Sequence, residues 1–293
     1  MSPTMPWAAE ALWQALEPLC PGLSVEVVAQ TGSTSTDLLE RVRQGRDLQP
    51  CLLVAERQTA GRGRQGKAWH AEPGASLTFS LSLPYAPAGA GGWSGLSLAV
   101  GLAVAEALEP LASLAPQQRP RLGLKWPNDL LLAGPDAGSD AGPDDLGRKL
   151  GGILIETVPV GSGRQLVLGI GLNLATELEA APGADLPWGR AAVHSLLPGL
   201  GAPELLARLA PPLLQALRDF ERQGFAPLQP AFARRDRLLG RTVSTTLAEP
   251  PGGVADGVDA QGLLWLRVGE GRDARRLPLH SGEVSLRLAG STA

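Results

Sequence analysis

The stretch from Gln58 to Trp69, QTAGRGRQGKAW, limits the folds open to this chain more than any other. Gly61, Gly63 and Gly66 spell GxGxxG, and Gly61 through Lys67 spell all but the last letter of a P-loop, so two common nucleotide folds present themselves at once. Both require a strand before the glycines and a helix after them. Cys51 to Ala55 is an apolar run that supplies the strand, but the residues that follow read AWHAEPG, with Pro73 and Gly74 where a helix should continue. Ala68 also stands where a P-loop needs a metal-binding hydroxyl. Neither fold fits. What remains is a basic glycine loop whose free N–H groups form an anion nest and whose Arg62 and Arg64 offer forked donors to phosphate or carboxylate; a solvated basic loop is the alternative.

The 293 residues suffice for one large domain and a small one. Lys and Arg total 26 against 29 acidic residues, a balance that argues against a general nucleic-acid or membrane-surface protein. Cys20 and Cys51 make neither a disulfide framework nor a metal spacing, and no leader or apolar run of membrane-spanning length occurs, so a cytoplasmic protein with no membrane partner is expected. The chain is Arg-rich and has only three lysines, Lys67, Lys125 and Lys149, and two asparagines, Asn128 and Asn173. All five lie between residues 67 and 173, as do the isoleucines 153, 155 and 170, which points to a demanding site there.

In chain order the pattern predicts a helix over 6–17, a strand at Val25–Ala29, a Ser/Thr-capped helix burying Leu38, Leu39 and Val42, a half-buried strand at Ser76–Pro84 and a buried helix over Trp93–Leu111. Leu122–Trp126 and Leu130–Leu132 read as strands joined by the tight WPND turn. Residues 133–147 have the composition of an acidic surface insertion. Two strands follow, RKLGGILIETV and Gln165–Leu174; glycine inside a strand marks a bulge or the close approach of another group. Helices are expected near 203–222 and 228–239. Four or five short strands beyond Gly240 suggest a small β barrel.

TGST at 31–34, GRGRQG at 61–66, KWPND at 125–129, KLGGILIE at 149–156 and GIGLN at 169–173 stand in order. Together they resemble the biotin protein ligases (biotin, acetyl-CoA-carboxylase ligases), and the resemblance extends from Thr31 to SGEVSLR at 281–287. It implies an α+β fold: a mixed β-sheet catalytic domain of the class II synthetase and biotin ligase type over 31–239, an SH3-like β barrel over 240–293, and an N-terminal extension over 1–30. That extension is too short for the winged helix many members carry, so the likeness is to the monofunctional type, with no nucleic-acid partner.

The resemblance implies that biotin's carboxylate attacks the α-phosphorus of ATP, that pyrophosphate leaves, and that a lysine of a biotin carboxyl carrier protein then attacks biotinyl-5′-AMP. Biotin and ATP with Mg2+ are the implied substrates, and no tightly bound prosthetic group is expected. Arg64 and Lys149 match the charged catalytic positions, and Asp129 is the third, orienting a lysine, helping to hold magnesium or taking a proton. Ser33, Thr34, Ser35, Gln58, Gly61, Arg62, Gly63, Arg64, Lys149, Gly151 and Gly152 match biotin-binding positions; Arg62, Arg64, Trp69, Lys125, Asn128 and Asn173 match ATP-binding ones. The family usually has Asn where this chain has Ser35, which replaces any amide contact there by a hydroxyl. Homodimers through sheet edges occur in the family. The enzyme alternative is a lipoate or octanoate ligase or transferase; octanoyl transferases use a cysteine nucleophile, and neither Cys20 nor Cys51 lies in a glycine-rich motif. A binding module using GRGRQGK as a basic patch leaves Lys149, Asn128 and Asn173 unexplained.

Overall fold

A computed structural model describes residues 5–46, 48–89, 91–115, 118, 120–134, 146–175, 189–269, 271–280 and 286–288. Most of the acidic stretch at 133–147, and Ser281 to Val284 with Ser285, lie outside the described residues. In chain order the elements are α1 (Ala9–Leu16), β1 (Ser24–Thr31), α2 (Thr34–Arg43), β2 (Cys51–Arg62), β3 (Ala68–Ala71), β4 (Ser76–Pro84), α3 (Leu96–Leu108), β5 (Leu122–Lys125) and β6 (Asp129–Leu132). They continue with β7 (Arg148–Val160), β8 (Gly163–Asn173), α4 (Ala202–Gln223), α5 (Gln229–Arg235), β9 (Thr242–Thr245), β10 (Gly252–Val258), β11 (Leu264–Val268), β12 (Arg275–Leu279) and β13 (Leu286–Leu288). Among the described residues no helix is long and apolar enough to cross a membrane.

The chain divides into two compact units. The first comprises Met1–Ala86, Leu150–Ala184 and Arg190–Arg218. Its sheet runs in the order β1-β2-β4-β8-β7, with β1 parallel to β2, the other neighbours antiparallel, and β3 folded back on the end of β2. One face of β4 and β8 carries Leu77, Phe79, Leu81, Leu168, Ile170 and Leu172, all buried. The other carries Ser76, Thr78, Ser80 and Ser82 opposite Asn173, Gly171, Gly169 and Val167. Leu38, Leu39 and Val42 of α2 cover one end of this second face, packing with Leu53, Val158 and Val167. The hydroxyls of β4, expected to face water, are therefore buried as well.

The glycine stretch is more regular than a loop. β2 continues through Gly61 and Arg62, a tight turn over Arg64–Gly66 reverses the chain with Gln65 and Gly66 at positive φ, and β3 returns antiparallel, pairing Gly61 with Trp69 and Arg62 with Ala68. Arginine and glycine at alternate positions satisfy a strand's period of two as well as a loop's composition. As the sequence requires, a strand and no helix follows the glycines.

The second unit comprises Pro87–Lys149, Asp185–Gly189 and Asp219–Ala293. Its α3 is buried on nearly every side, β5 and β6 form the hairpin around the KWPND turn, and the C-terminal strands form a five-stranded antiparallel sheet in the order β12-β11-β10-β9-β13. The fully buried Arg235 of α5 fastens this unit: it pairs with Glu106 at 2.9 Å and Glu109 at 3.3 Å and donates to the Leu122 carbonyl at 2.8 Å. Removing one partner of a buried ion pair leaves an uncompensated charge, so Arg235→Met is expected to destabilise the fold by ~3 kcal/mol or more in a urea titration, and Glu109→Gln in the same chain to recover part of the loss.

Candidate functional site

The second face of β4 and β8 gathers the first unit's small and polar residues. Gly169, Gly171 and Asn173 alternate along β8, and Gly152 of β7 lies opposite Gly171, so the middle of the face has no large side chain of its own. Its glycines are required by what stands over them. A methyl at 169 would collide with the Ser35 hydroxyl, and one at 171 with the Trp69 indole. Gly151, opposite Leu172, lies on the other face, so of the glycine pair expected to approach a ligand only Gly152 joins this surface.

The first turn of α2 supplies the polar edge. Ser33 caps the helix, its hydroxyl accepting from the Thr36 N–H at 3.4 Å. Thr34 donates to the Gln58 side-chain oxygen twice, from its N–H at 2.8 Å and its hydroxyl at 3.1 Å. Thr34 and Ser35 hydroxyls both meet that of Ser80, at 2.7 and 2.9 Å. The sequence pointed to Ser33, Thr34, Ser35 and Gln58, and the structure brings them together; it missed Ser80, because every second residue of Ser76–Ser82 is small and polar and looked like a wet strand face. The absence of any charged or long side chain among those positions was the available signal.

The β2–β3 hairpin supplies positive charge and an aromatic plane. Arg62 pairs with Glu156 of β7 at 3.0 Å and reaches the Thr36 hydroxyl at 3.4 Å. Gly63 bonds back to the Lys67 carbonyl at 2.7 Å across the turn that carries Arg64. Trp69 lies over Gly171 with its indole N–H buried and without a hydrogen-bond partner among the described residues, an unmet donor. Lys67 and His70 are exposed. Asn173, buried at the end of β8, closes this row.

In the second unit the KWPND turn builds a compact charge cluster. Antiparallel pairing sets Lys125 opposite Asp129, and the Asp129 carboxylate takes the Lys125 ammonium at 3.2 Å on one oxygen and the Lys149 ammonium at 2.7 Å on the other. Burial pushes the Asp129 pKa up, but the charges and hydrogen bonds of Lys149 and Lys125 outweigh it and hold the pKa at about 2. Two ammonium groups against one carboxylate leave a net positive charge. Asn128, half-buried, sits in the same turn. Asp129 does not suit a magnesium seat: both oxygens serve lysines, and among the described residues no three His, Cys, Asp or Glu side chains gather to hold a metal ion.

Comparison with known proteins gives a consistent picture. Residues 27–173 match the profile of the Biotin/lipoate A/B protein ligase family. The chain is 36% identical over 268 residues to the biotin–[acetyl-CoA-carboxylase] ligase of Mycobacterium tuberculosis, covering 89% of this chain and 88% of that protein. It is 33% identical over 272 residues to the bifunctional ligase/repressor BirA of Escherichia coli, covering 92% of this chain and 75% of that one. In fold it is similar to the biotin protein ligase from Aquifex aeolicus in complex with biotin and ATP, with a TM-score of 0.66 at 24% identity, over 90% of this chain and 99% of that one. With a family profile over half its length and a relative this similar along nearly the whole of both chains, the chain belongs to the biotin/lipoate A/B protein ligase family, on its biotin protein ligase branch.

Proposed function

We infer that the chain is an ATP-dependent biotin protein ligase that converts biotin to biotinyl-5′-AMP with release of pyrophosphate and then transfers biotin to a lysine of a biotin carboxyl carrier protein. The glycine-floored face between the α2 hydroxyls and Trp69 carries the reading. A fused bicyclic ligand with an apolar body and one polar ureido group needs a smooth surface with a few placed donors and acceptors at its edge. Gly152 supplies bare backbone, Gly169 and Gly171 let Ser35 and the Trp69 indole seat against the sheet, and Ser33, Thr34, Ser35 and Gln58 supply the edge.

In the first step a carboxylate oxygen attacks the α-phosphorus and the bond to pyrophosphate breaks, so two anions meet. Arg64, Arg62 and Lys149 supply the positive charge: Lys149 is held in place before reaction by Asp129, Arg62 can leave Glu156 for the anion, and the Gly63 N–H expected to join an anion nest is spent on the Lys67 carbonyl. Lys125 and Asp129 keep the Lys149 ammonium in position. Trp69, Asn128 and Asn173 are assigned to the nucleotide; the unmet indole donor of Trp69 supports that assignment. Magnesium belongs to the substrate, carried on the ATP phosphates.

In the second step the neutral amine of the acceptor lysine attacks the acyl carbonyl and AMP leaves. With its pKa at about 2, Asp129 is too weak a base to take that proton near neutrality. It is a positioning residue, and a positively charged site itself lowers the acceptor's pKa. The transferase alternative loses support, since burial pushes the Cys51 thiol up to about 12 and raises that of Cys20, leaving neither as a ready nucleophile. Residues 31–239 are read as the catalytic segment, 1–30 as its extension, and 240–293, on the support of the five-stranded antiparallel sheet, as an SH3-like barrel.

Pyrophosphate release should depend on biotin and lead to labelling of a carrier domain; release without biotin and no transfer would refute the reading. Lys149→Ala should lower that biotin-dependent release by about 100-fold or more. The depressed pKa of Asp129 stabilises the fold above its ordinary value of 3.8, a contribution lost as pH falls from there toward about 2. The gap in unfolding free energy between the parent protein and Asp129→Asn should therefore be full above pH 3.8 and shrink toward about 2. Trypsin cleavage after Arg62 or Arg64 should slow when biotin and ATP are added together, and equal rates would show that the hairpin does not close over ligand.

A further inference from the structure

Each proton in the hydroxyl chain at the head of α2 has one assignable direction. A backbone N–H only donates, so the bond from Thr34 N–H at 2.8 Å fixes the Gln58 amide with its oxygen toward Thr34. That oxygen only accepts, so the Thr34 hydroxyl spends its proton on Gln58, at 3.1 Å. The 2.7 Å contact between Thr34 and Ser80 then requires Ser80 to donate, and the 2.9 Å contact between Ser80 and Ser35 requires Ser35 to donate in turn. Ser80 is 0% exposed and Ser35 is 6% exposed, so water does not compete for these protons. The chain ends on a Ser35 oxygen that has lone pairs to offer and no proton left. Gly169 lets this oxygen sit against the sheet, where any side chain would displace it.

We propose that Ser80 and Ser35 are a specificity-determining pair: Ser80 commits the Ser35 proton inward, making Ser35 a pure acceptor that selects a ligand presenting an N–H at this point, here a ureido N–H of biotin. The proposal rests on the biotin ligase reading and deepens it. It also gives the residue that replaces the family's Asn a role of its own. An asparagine amide offers both a donor and an acceptor, whereas this serine offers only acceptance. Ser80 acts through Ser35 and is a positioning residue.

The test uses the full chain and three probes: biotin and the two cyclic carbamate analogues in which one or other ureido N–H is replaced by oxygen. Dissociation constants by calorimetry for the parent protein should show strong rejection of one analogue, whose oxygen faces the Ser35 oxygen. Ser80→Ala frees the Ser35 hydroxyl to turn and donate, so the preference for biotin over that analogue should narrow by roughly tenfold. Ser35→Ala should weaken biotin by roughly tenfold while leaving that analogue's affinity unchanged, a selective effect that general loosening of the fold does not produce. The proposal is overturned if the parent protein binds biotin and both analogues alike, or if Ser35→Ala weakens biotin and the rejected analogue by the same factor. Absence of biotin binding in the parent protein would overturn the ligase reading itself, and is seen before any substitution is made.

Discussion

The antiparallel pairing of β4 with β8 decides most of what the first unit is. Its register, from Ser76 opposite Asn173 to Pro84 opposite Gln165, sends the leucines, Phe79 and Ile170 of both strands to one face and every serine, threonine and glycine of its middle to the other, where Val167 alone joins the apolar side of α2. A slip of one residue would exchange the faces, exposing Phe79 and Ile170 where the glycines now lie and burying Ser80 in the core. The hydrophobic demand of the core and the smoothness of the binding surface are thus set by one register. Burial of Leu77, Phe79, Leu81, Leu168, Ile170 and Leu172, each contributing on the order of 2 kcal/mol, makes any such slip prohibitively unfavourable.

Positive charge is handled differently in the two units. Lys125 is buried and Lys149 partly so, and their shared carboxylate makes that tolerable without cancelling the charge. This is a fixed arrangement: with its pKa held at about 2, Asp129 is ionised near neutrality. Arg62 is paired with Glu156 at the surface, its side chain 42% exposed, and exposed pairs of this kind contribute little to stability. An anionic ligand can therefore take the guanidinium over at small cost, while Lys149 is held still. One cation is preorganised and the other is exchangeable.

Much of this was legible in the sequence because local chemistry and tertiary role coincide. The glycine stretch lacks a following helix in the structure as in the sequence, α2 buries Leu38, Leu39 and Val42 as its spacing requires, and the WPND turn joins two strands. Of the scarce residues, Lys125, Lys149 and Asn128 lie in or at the KWPND turn and Asn173 at the end of β8, while Lys67 is exposed. Three features were hidden, each because periodicity reports which side a residue takes and not what covers it. Ser80 looked solvated until α2 was placed over it. Gly151 and Gly152 looked equivalent until the register with β8 put them on opposite faces. The basic stretch looked like a loop because glycine and arginine are common in loops, although β3 needs only a pairing partner to make a strand of it.

The hairpin form of that stretch changes the kind of closure it supports. A disordered loop that orders over a ligand loses backbone entropy for every residue it fixes, about 1–2 kcal/mol each. Here Gly61 and Arg62 are already paired with Trp69 and Ala68, and the turn at Arg64–Gly66 is already formed, so most of that ordering belongs to folding and not to binding. The closure proposed above would then need only the movement of a two-stranded flap and the exchange of the Glu156 contact of Arg62 for a ligand anion. Trp69 is the hairpin's anchor, because the bare Gly171 backbone lets the indole pack against the sheet. Gly171 of the fifth motif and Trp69, three residues beyond the second, are thus one packing unit, since any side chain at 171 would displace the indole.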